Sequence, residues 1–307
     1  MEIYLPIADL PVNVFLVFAM GLAVGFISGM FGIGGGFLMT PLLIFIGVSP
    51  AVAVATVASH IAASSFSGAL LYWRRRALDL ALALMLLVGG LLGTAAGVWL
   101  FTQLRAIGQL DLVISLSYVI LLSSVGATMI FESVRAVIRL QRGEQFDVRR
   151  PGSHTWLHGL PIKVRFKQSR LYVSVIPVWI IGGVIGFLGA IMGIGGGFIL
   201  VPSLIYLVRV PTSVVIGTSM VLTLVTMASA TVLHAATNHL VDAVLALILM
   251  VGGVIGAQFG AQAGHRMRSE RLRLLLGLLV FAVGLRFAIN LVLPPTEIYS
   301  FRLLEGE

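Results

Sequence analysis

Long apolar stretches separated by short polar ones dominate the pattern along this chain. Most of these stretches reach the roughly twenty residues that an α-helix needs to cross a bilayer, whereas strands of a membrane barrel would be about ten residues long and would alternate in polarity. The pattern therefore predicts an all-α polytopic membrane protein. The predicted membrane segments are Val12 to Met30, Phe37 to Val48, Ala51 to Trp73, Leu78 to Leu100, Leu110 to Phe131, Val173 to Met192, Phe198 to Val208, Ser213 to Ala235, Val241 to Gly264 and Leu274 to Leu293.

One glycine-rich phrase occurs twice in the chain. Gly32 to Phe37 and Gly193 to Phe198 both read Gly-Ile-Gly-Gly-Gly-Phe, and each is followed at the same distance by a proline, Pro41 or Pro202. Consecutive glycines disfavour a continuous helix, and the apolar segment after each phrase is only about a dozen residues long, which is short for a full crossing. These segments are therefore predicted to be half-helices or the return arms of re-entrant hairpins.

The two copies of this phrase lie in two similar halves of the chain. Five predicted elements precede a long polar stretch and five follow it, so we divide the chain into a first repeat (1–131), a basic linker (132–172), a second repeat (173–293) and a tail (294–307). Duplication of one unit is the simplest explanation. Equivalent residues lie 161 positions apart at Gly25 and Gly186, Gly36 and Gly197, Pro41 and Pro202, and Pro50 and Pro211, and 163 positions apart at Asp79 and Asp242, Gly89 and Gly252, Gly90 and Gly253, Gly93 and Gly256, and Gly97 and Gly260.

Composition narrows the class of protein further. The chain has 307 residues, of which 59% are hydrophobic and 10% are charged, and its mean hydropathy of +1.07 excludes a soluble domain with one modest core. Cysteine is absent, which excludes disulfides, thiolate metal sites and cysteine nucleophiles. The net charge of +8 comes from basic residues that cluster between the apolar segments, so it indicates membrane topology rather than nucleic-acid binding.

Three basic stretches determine the predicted orientation: Arg74 to Arg76, the 132–172 linker, and Arg266 to Arg273. Basic loops stay in the cytoplasm, and an even number of elements separates these stretches from one another. All three are therefore predicted to be cytoplasmic and both termini outside, in a multi-pass protein of the cytoplasmic membrane. The first repeat then starts outside and the second inside. Inverted repeats with interrupted helices are typical of secondary transporters, whose sites lie near the midplane.

The glycine phrases are the candidate substrate site. A helix that starts inside the membrane presents unpaired N–H groups and the positive end of its dipole, which bind anions without a basic side chain. No Asp or Glu is predicted at mid-membrane, so an anion fits better than a metal cation. The alternative is that the glycines only allow close helix packing. The predicted substrate-binding residues are Gly34, Gly35, Gly36 and Phe37 in the first copy and Gly195, Gly196, Gly197 and Phe198 in the second.

Hydroxyl groups inside the apolar segments are further candidates, since they either donate to an oxyanion or bond back to their own helix. We expect Thr56, Thr218 and Ser219 to help bind the substrate. His60, about ten residues into its segment, is a candidate for proton coupling or a neutral structural histidine. No metal site and no cofactor is expected. The hydroxyl residues of the two central segments include Thr56, Ser59, Ser64, Ser65 and Ser67, and Thr218, Ser219, Thr223, Thr226 and Ser229.

These motifs resemble those of the TauE/SafE sulfite exporter family, also called the toluene sulfonate uptake permease family. The resemblance rests on the duplicated glycine phrase with its proline, on Pro211 followed by a Gly-Thr-Ser run from Gly217, and on the paired glycines of the fourth elements. It covers nearly the whole chain apart from the linker and tails, although the first half has Ala-Thr-Val at Ala55 to Val57 in place of Gly-Thr-Ser. The resemblance implies a transporter, commonly an exporter, of sulfur-containing anions such as sulfite, sulfoacetate or other organosulfonates.

The sequence thus predicts an alternating-access carrier driven by ion or substrate gradients, because it contains no ATP-binding signature. A passive anion channel built on the same site and a carrier of a different small organic anion remain alternatives. A membrane enzyme using Ser28 or His60 would need a nucleophile constellation that the sequence lacks, so no enzyme activity is expected. The expected partners are the small anionic substrate and membrane lipids, with no nucleic acid, and a homo-oligomer stays open.

Overall fold

The computed structural model describes residues 2–31, 35–74, 77–141, 163–166, 171–204, 212–264 and 269–292. The chain forms two compact units. The larger unit comprises Met1–Asp111 and Gln145–Ser269, and the smaller unit comprises Leu112–Glu144 and Glu270–Glu307. Both glycine phrases belong to the larger unit.

Helices account for most of the described residues, with two short β-hairpins beside them. The helices are α1 (Val14–Phe31), α2 (Gly36–Phe45), α3 (Pro50–Arg74), α4 (Leu80–Ala106), α5 (Leu110–Gln141), α6 (Val175–Met192), α7 (Gly197–Ser203), α8 (Thr212–Thr237), α9 (Ala243–Gly264) and α10 (Ser269–Val292). The strands are β1 (Glu2–Leu5), β2 (Leu10–Asn13), β3 (Lys163–Phe166) and β4 (Leu171–Ser174).

Six helices within the described ranges are long and apolar enough to cross a membrane: α3, α4, α6, most of α8 and α9, and the first 22 residues of α5. The prediction of an all-α polytopic membrane protein is therefore confirmed. The helices that follow the glycine phrases are shorter, with 10 residues in α2 and 7 in α7. At about 1.5 Å per residue, α2 is too short to cross a hydrocarbon core of about 30 Å. Residues 205–211, which follow α7 and Leu204, lie outside the described residues.

Each half of the larger unit begins with a β-hairpin that the apolar pattern does not indicate. β1 pairs with β2 and β3 with β4, both antiparallel, and each pair in the second hairpin lies 161 positions after its counterpart in the first. Glu2 pairs with Asn13, for example, and Lys163 with Ser174. The second hairpin thus falls largely within residues 132–172, which the sequence assigns to the linker. At the other end of that range, α5 extends as a helix to Gln141.

Two helix pairs join the halves of the larger unit through closely packed glycines. α1 packs against α9, and α4 packs against α6. A Cβ on most of these glycines would overlap the partner's backbone, an approach that small residues permit between membrane helices. We call these two contacts the glycine seams. The helices within each seam run parallel, because residue numbers rise along both partners together. The contacts run from Gly21–Leu249 through Gly25–Gly253 to Gly29–Ala257 in the first seam. They run from Gly89–Trp179 through Gly93–Gly183 to Gly97–Phe187 in the second.

The central helices of the two halves, α3 and α8, pack in opposite directions. A Cβ on Gly68 of α3 would overlap the side chain of Met220 on α8. One turn further along α3, Tyr72 Cβ lies 3.0 Å from where a Cβ on Gly217 would be. Residue numbers therefore rise along α3 as they fall along α8.

α1 and α2 form a helix hairpin. At its turn, a Cβ on Gly35 would lie 3.0 Å from Ser28 Cβ and 3.1 Å from Val24 Cγ1, both on α1. At its open end, Leu10, which precedes α1, packs within 3.6 Å of the Cβ position of Gly47, which follows α2. α2 therefore returns to the end of the unit from which α1 starts.

The smaller unit contains nearly all of α5 together with α10. The rings of Tyr118 and Phe287 stack with their centroids 5.4 Å apart, and Gly126 lies against the backbone of Phe281. These contacts make the two helices antiparallel. The residues predicted for the site all belong to the larger unit.

Candidate functional site

The first glycine turn lies at the start of α2. Gly35 has a left-handed backbone with φ of 65° and occupies the N-cap position, where its carbonyl accepts the N–H groups of Leu38 and Met39 at 3.3 Å each. L-residues rarely adopt this conformation, so a side chain there would be strained. Gly35, as the N-cap residue, has no side chain with which to cap α2, although the first amides of a helix have no acceptor within the helix itself. Gly34, the first residue of the predicted site, lies outside the described residues.

The second glycine turn, between α6 and α7, uses three left-handed residues. Gly193, Gly195 and Gly196 have φ of 66°, 76° and 67°. Gly193 ends α6 by donating its N–H to the Gly189 carbonyl at 2.8 Å, and Gly197 donates to the Gly195 carbonyl at 2.7 Å as α7 begins. Glycine is needed at these positions because its backbone adopts positive φ without a steric penalty.

The structure brings the two glycine turns together. The rings of Phe37 and Phe198, the second residues of α2 and α7, stack with centroids 4.5 Å apart and an angle of 10° between their planes. Thr40 on α2 donates its hydroxyl to the Gly193 carbonyl at 3.3 Å. A Cβ on Gly36 would overlap that same carbonyl oxygen. The backbones are in direct contact and both rings are buried, so the two turns pack against each other in this structure.

Thr56 and Thr218 connect each central helix to the other half of the larger unit. The Thr56 hydroxyl oxygen accepts the N–H of Asp242 at 3.0 Å, and the Thr218 hydroxyl oxygen accepts the N–H of Asp79 at 3.3 Å. Ser219 donates its hydroxyl at 2.8 Å to a carbonyl one turn back on α8. All three hydroxyls predicted to bind substrate thus make bonds within the protein that support helices.

The two buried aspartates that meet these threonines are helix caps. The Asp79 carboxylate accepts the N–H of Leu82 in the first turn of α4 at 3.2 Å. The Asp242 carboxylate accepts the N–H of Leu245 in the first turn of α9 at 3.0 Å and the N–H of Ile7, in the turn between β1 and β2, at 3.0 Å. Carboxylates at helix N-termini stabilise the unpaired amides and the dipole there, which accounts for these charges in a buried position.

His60 and His234 are both buried, and they differ in the hydrogen bonds that their ring nitrogens make. His60 Nδ1 lies 2.7 Å from the Leu249 carbonyl oxygen, and because a carbonyl only accepts, Nδ1 carries the proton. His60 Nε2 is buried and has no hydrogen-bond partner among the described residues. His234 uses both nitrogens, with Nε2 3.0 Å from the Ala190 carbonyl oxygen and Nδ1 3.3 Å from Asn238 Nδ2. Among the described residues, His60 therefore uses one ring nitrogen in a hydrogen bond, whereas His234 uses both.

Two more buried polar atoms, Ser65 Oγ on α3 and Thr223 Oγ1 on α8, have no hydrogen-bond partner within the described part of the chain. Both residues were candidates from the sequence, but the expectation fell on Thr56 and Thr218 because these two align between the repeats. A mismatch between the repeats would have indicated Ser65 and Thr223. Each is a polar residue in one half whose aligned position in the other half holds an apolar residue.

The fold and the site together define a polytopic helical membrane protein in which two glycine turns, each opening a short helix, meet in one unit. A family comparison agrees with this class, because the family model for "Sulfite exporter TauE/SafE" matches residues 17–287. The chain belongs to the sulfite exporter TauE/SafE family and is a membrane transporter of that family.

Two bacterial relatives show the same likeness over most of their length, and a plant relative shows it over a short segment. The "Probable membrane transporter protein YunE" of Bacillus subtilis is 25% identical over 283 residues, covering 88% of this chain and 95% of the relative. A "Probable membrane transporter protein" of Xylella fastidiosa is 30% identical over 272 residues, covering 85% and 90%. The "Sulfite exporter TauE/SafE family protein 1" of Arabidopsis thaliana is 42% identical over 60 residues, covering 20% and 13%. The chain has no significant match among solved structures.

Proposed function

We propose that this chain is a secondary carrier, not an enzyme, that exports a small sulfur-containing anion such as sulfite, sulfoacetate or another organosulfonate across the cytoplasmic membrane. The observation that carries the proposal is the meeting of the two glycine turns in a chain of the sulfite exporter TauE/SafE family. The predicted ligands are the backbone groups of Gly34 to Phe37 and Gly195 to Phe198.

An anion suits these turns for two physical reasons. The N-cap residue of α2 is Gly35, which has no side chain to cap the helix, and a helix N-terminus favours negative charge through its amides and its dipole. The buried carboxylates among the described residues, Asp79 and Asp242, are bonded to the N–H groups of α4 and α9. Neither carboxylate is an unpaired negative charge that would oppose an anion at the turns.

We infer that the two halves are inverted repeats in the membrane. The support is the antiparallel packing of α3 and α8, since these are the equivalent central helices of the halves and equivalent helices point opposite ways in an inverted repeat. The return of α2 to the starting end of α1 supports a re-entrant hairpin in the first half. With the basic stretches in the cytoplasm, as the sequence predicts, the linker lies inside and both termini lie outside.

Alternating access requires the closed contact between the turns to open to each side in turn. Separation of the Phe37 and Phe198 rings is the smallest change that would admit a ligand to both helix starts, because the rings come from opposite halves. His60 is the candidate for proton coupling. Its free Nε2 would take up a proton in one state and release it in the other.

Transport by the purified protein in liposomes tests the proposed function. We expect saturable uptake of labelled sulfite, and faster uptake when the liposomes contain unlabelled sulfite, because a carrier must return its binding site before each new uptake. A passive channel would show no such counterflow. If sulfite, sulfoacetate and thiosulfate are all inert while another organic anion is transported, the substrate class is wrong.

A pair of glycine variants tests the site. Gly35→Ala and Gly108→Ala both place a side chain on a left-handed backbone, with φ of 65° and 69°, so both carry a strain of about 1–2 kcal/mol. Only Gly35 lies at the start of α2, whereas a Cβ on Gly108 would have nothing within 4 Å. We expect Gly35→Ala to slow transport at least about tenfold, as a loss of ~1.4 kcal/mol of binding would, and Gly108→Ala to remain active. Equal losses in two well-inserted variants would show that strain, and not the site, was responsible.

A further inference from the structure

Two hydroxyls of the larger unit, one on α3 and one on α8, are buried without a bond to any part of the chain that the structure describes. Ser65 is 2% exposed and Thr223 is 1% exposed, and neither hydroxyl oxygen has a hydrogen-bond partner among the described residues. Their neighbours behave as membrane hydroxyls ordinarily do. Ser64 donates to a carbonyl of α3 at 3.1 Å, and Thr226 donates to a carbonyl of α8 at 2.8 Å. A buried polar group without a partner is costly to maintain, so the two unbonded hydroxyls need a reason.

The register of α3 and α8 places these two hydroxyls at the same level. Gly68 packs against Met220 where the helices cross, and the helices run in opposite directions. Ser65 lies three residues before Gly68, and Thr223 lies three residues after Met220. Residues three apart lie on neighbouring positions of one helix face. Ser65 and Thr223 therefore lie at the same level of the two packed helices, each three residues from the contact between Gly68 and Met220.

Ser65 also lies beyond the N-terminus of α2. Ile61 of α3 packs against Gly36, the first residue of α2, while Val54 of α3 and Thr40 of α2 both pack against Gly193. α2 and α3 are thus antiparallel. Ser65 lies one turn past Ile61 on the same face of α3, in the direction in which the first N–H groups of α2 point.

The two halves do not share this arrangement. With the offset of 162 positions that relates Thr56 to Thr218, Ser65 corresponds to Met227 and Thr223 corresponds to Ile61. Met227 packs its methyl group against Gly189, and Ile61 packs against Gly36. At each of these two equivalent positions, one half has a packed apolar side chain and the other half has a hydroxyl.

We propose that Ser65 and Thr223 are specificity-determining residues that donate their hydroxyls to oxygens of the transported anion, next to the N-terminus of α2. This inference rests on the proposed function, because it assigns side-chain donors to the same anion site. It replaces Thr56 and Thr218 in that role. Two hydroxyl donors on opposite helices, together with helix amides, favour an anion with several oxygens over a halide, which offers a single acceptor atom.

The test uses Ser65→Ala and Thr223→Val, with Ser64→Ala and Thr226→Val as matched controls on the same helices. We expect each of the first two variants to raise the KM for sulfite about tenfold, as the loss of a hydrogen bond to a charged group would, with a smaller change in kcat. Thr223→Ser keeps the hydroxyl and should restore the KM. The controls lose hydroxyls that are already bonded within their own helices, and their KM should change less than about threefold.

Thermal stability with and without sulfite gives a readout independent of transport. Sulfite should raise the Tm of the wild type and of both controls, but raise the Tm of Ser65→Ala and Thr223→Val less at the same concentration, as weaker binding to the folded state requires. If sulfite raises the Tm of all five proteins equally and their KM values are the same, the binding role of Ser65 and Thr223 is overturned while the proposed function stands. If no sulfur oxyanion raises the Tm of the wild type or is transported by it, the proposed function is overturned as well.

Discussion

The helix ends and the centre of the larger unit differ in how closely the two halves match. At the helix ends the same contact is made twice, as Thr56 bonds to Asp242 and Thr218 bonds to Asp79. The glycine seams and the two β-hairpins are repeated in the same way. At the centre, the two halves differ at three buried polar residues whose side chains have an atom without a hydrogen-bond partner among the described residues. His60 corresponds to Leu222, Ser65 to Met227, and Thr223 to Ile61.

This difference separates residues that hold the fold from the residues that we propose bind the ligand. Both halves must close their helix ends and pack their backbones, so the groups that do this occur in both. A small ligand on the axis between the halves needs only one set of side-chain donors. Polar residues present in one half alone are therefore better candidates for the site than those that occur twice.

Gly93→Ala disrupts the glycine seam between α4 and α6 and should have the largest effect on stability. A Cβ there would overlap the Gly183 carbonyl, and because a backbone cannot move aside cheaply, we expect a loss of about 3 kcal/mol or more. The measurement is the yield of monodisperse protein and its Tm in detergent. Gly183→Ala is the control from the same seam, since its Cβ would lie 3.5 Å from the Gly89 carbonyl oxygen, an ordinary contact. A stable Gly93→Ala protein would show that the seam tolerates separation.

The two histidines give the next contrast. His60→Gln removes the unpaired Nε2 and should abolish the response of sulfite transport to an imposed pH gradient, leaving the gradient-free rate. His234→Gln breaks bonds to Ala190 and Asn238, so it should lower the free energy of unfolding by about 1–2 kcal/mol while keeping the response. The measurement is the initial transport rate in liposomes with and without the gradient. A His60→Gln protein that still responds would assign coupling elsewhere.

The smallest expected effect belongs to the matched threonines. Thr56→Val and Thr218→Val each remove one acceptor from a helix-end N–H group, which should cost about 1 kcal/mol of unfolding free energy in either variant. The KM for sulfite should stay within about twofold of wild type. Transport assays and thermal unfolding on the same preparations check both statements. A large rise in KM for either variant would return the threonines to the substrate site, where the sequence predicts them.

The helical framework was predictable because membrane helices leave strong signals. Apolar length predicts the spans, and the repeated glycine phrases predict a short helix after each phrase, which α2 is in the first half. The β-hairpins were missed since each strand has only four residues, too few for alternation to show, and Pro11 lies inside β2. The continuation of α5 to Gln141 was missed because its last turns are charged and leave the apolar pattern.

The site was harder to predict because a sequence shows which residues are polar but not which are already bonded. Thr56 and Thr218 were favoured by their alignment, yet their oxygens accept N–H groups of Asp242 and Asp79. Whether a hydroxyl bonds to its own helix depends on side-chain rotation and on neighbours across an interface. Neither is visible in the residue order, so Ser65 could not be told apart from Ser64 before their bonds were seen.

The glycine seams restrict how this protein can move. Each seam ties a helix of one half to a helix of the other by backbone contact, through α1 with α9 and α4 with α6. A rocking motion of one whole half against the other would have to pull both seams apart, and close-packed backbone contacts do not stretch. The parts with fewer such ties are the short helices and their turns. If the protein is the carrier that we propose, we therefore expect its conformational change to involve the short helices and their turns while the glycine seams stay packed.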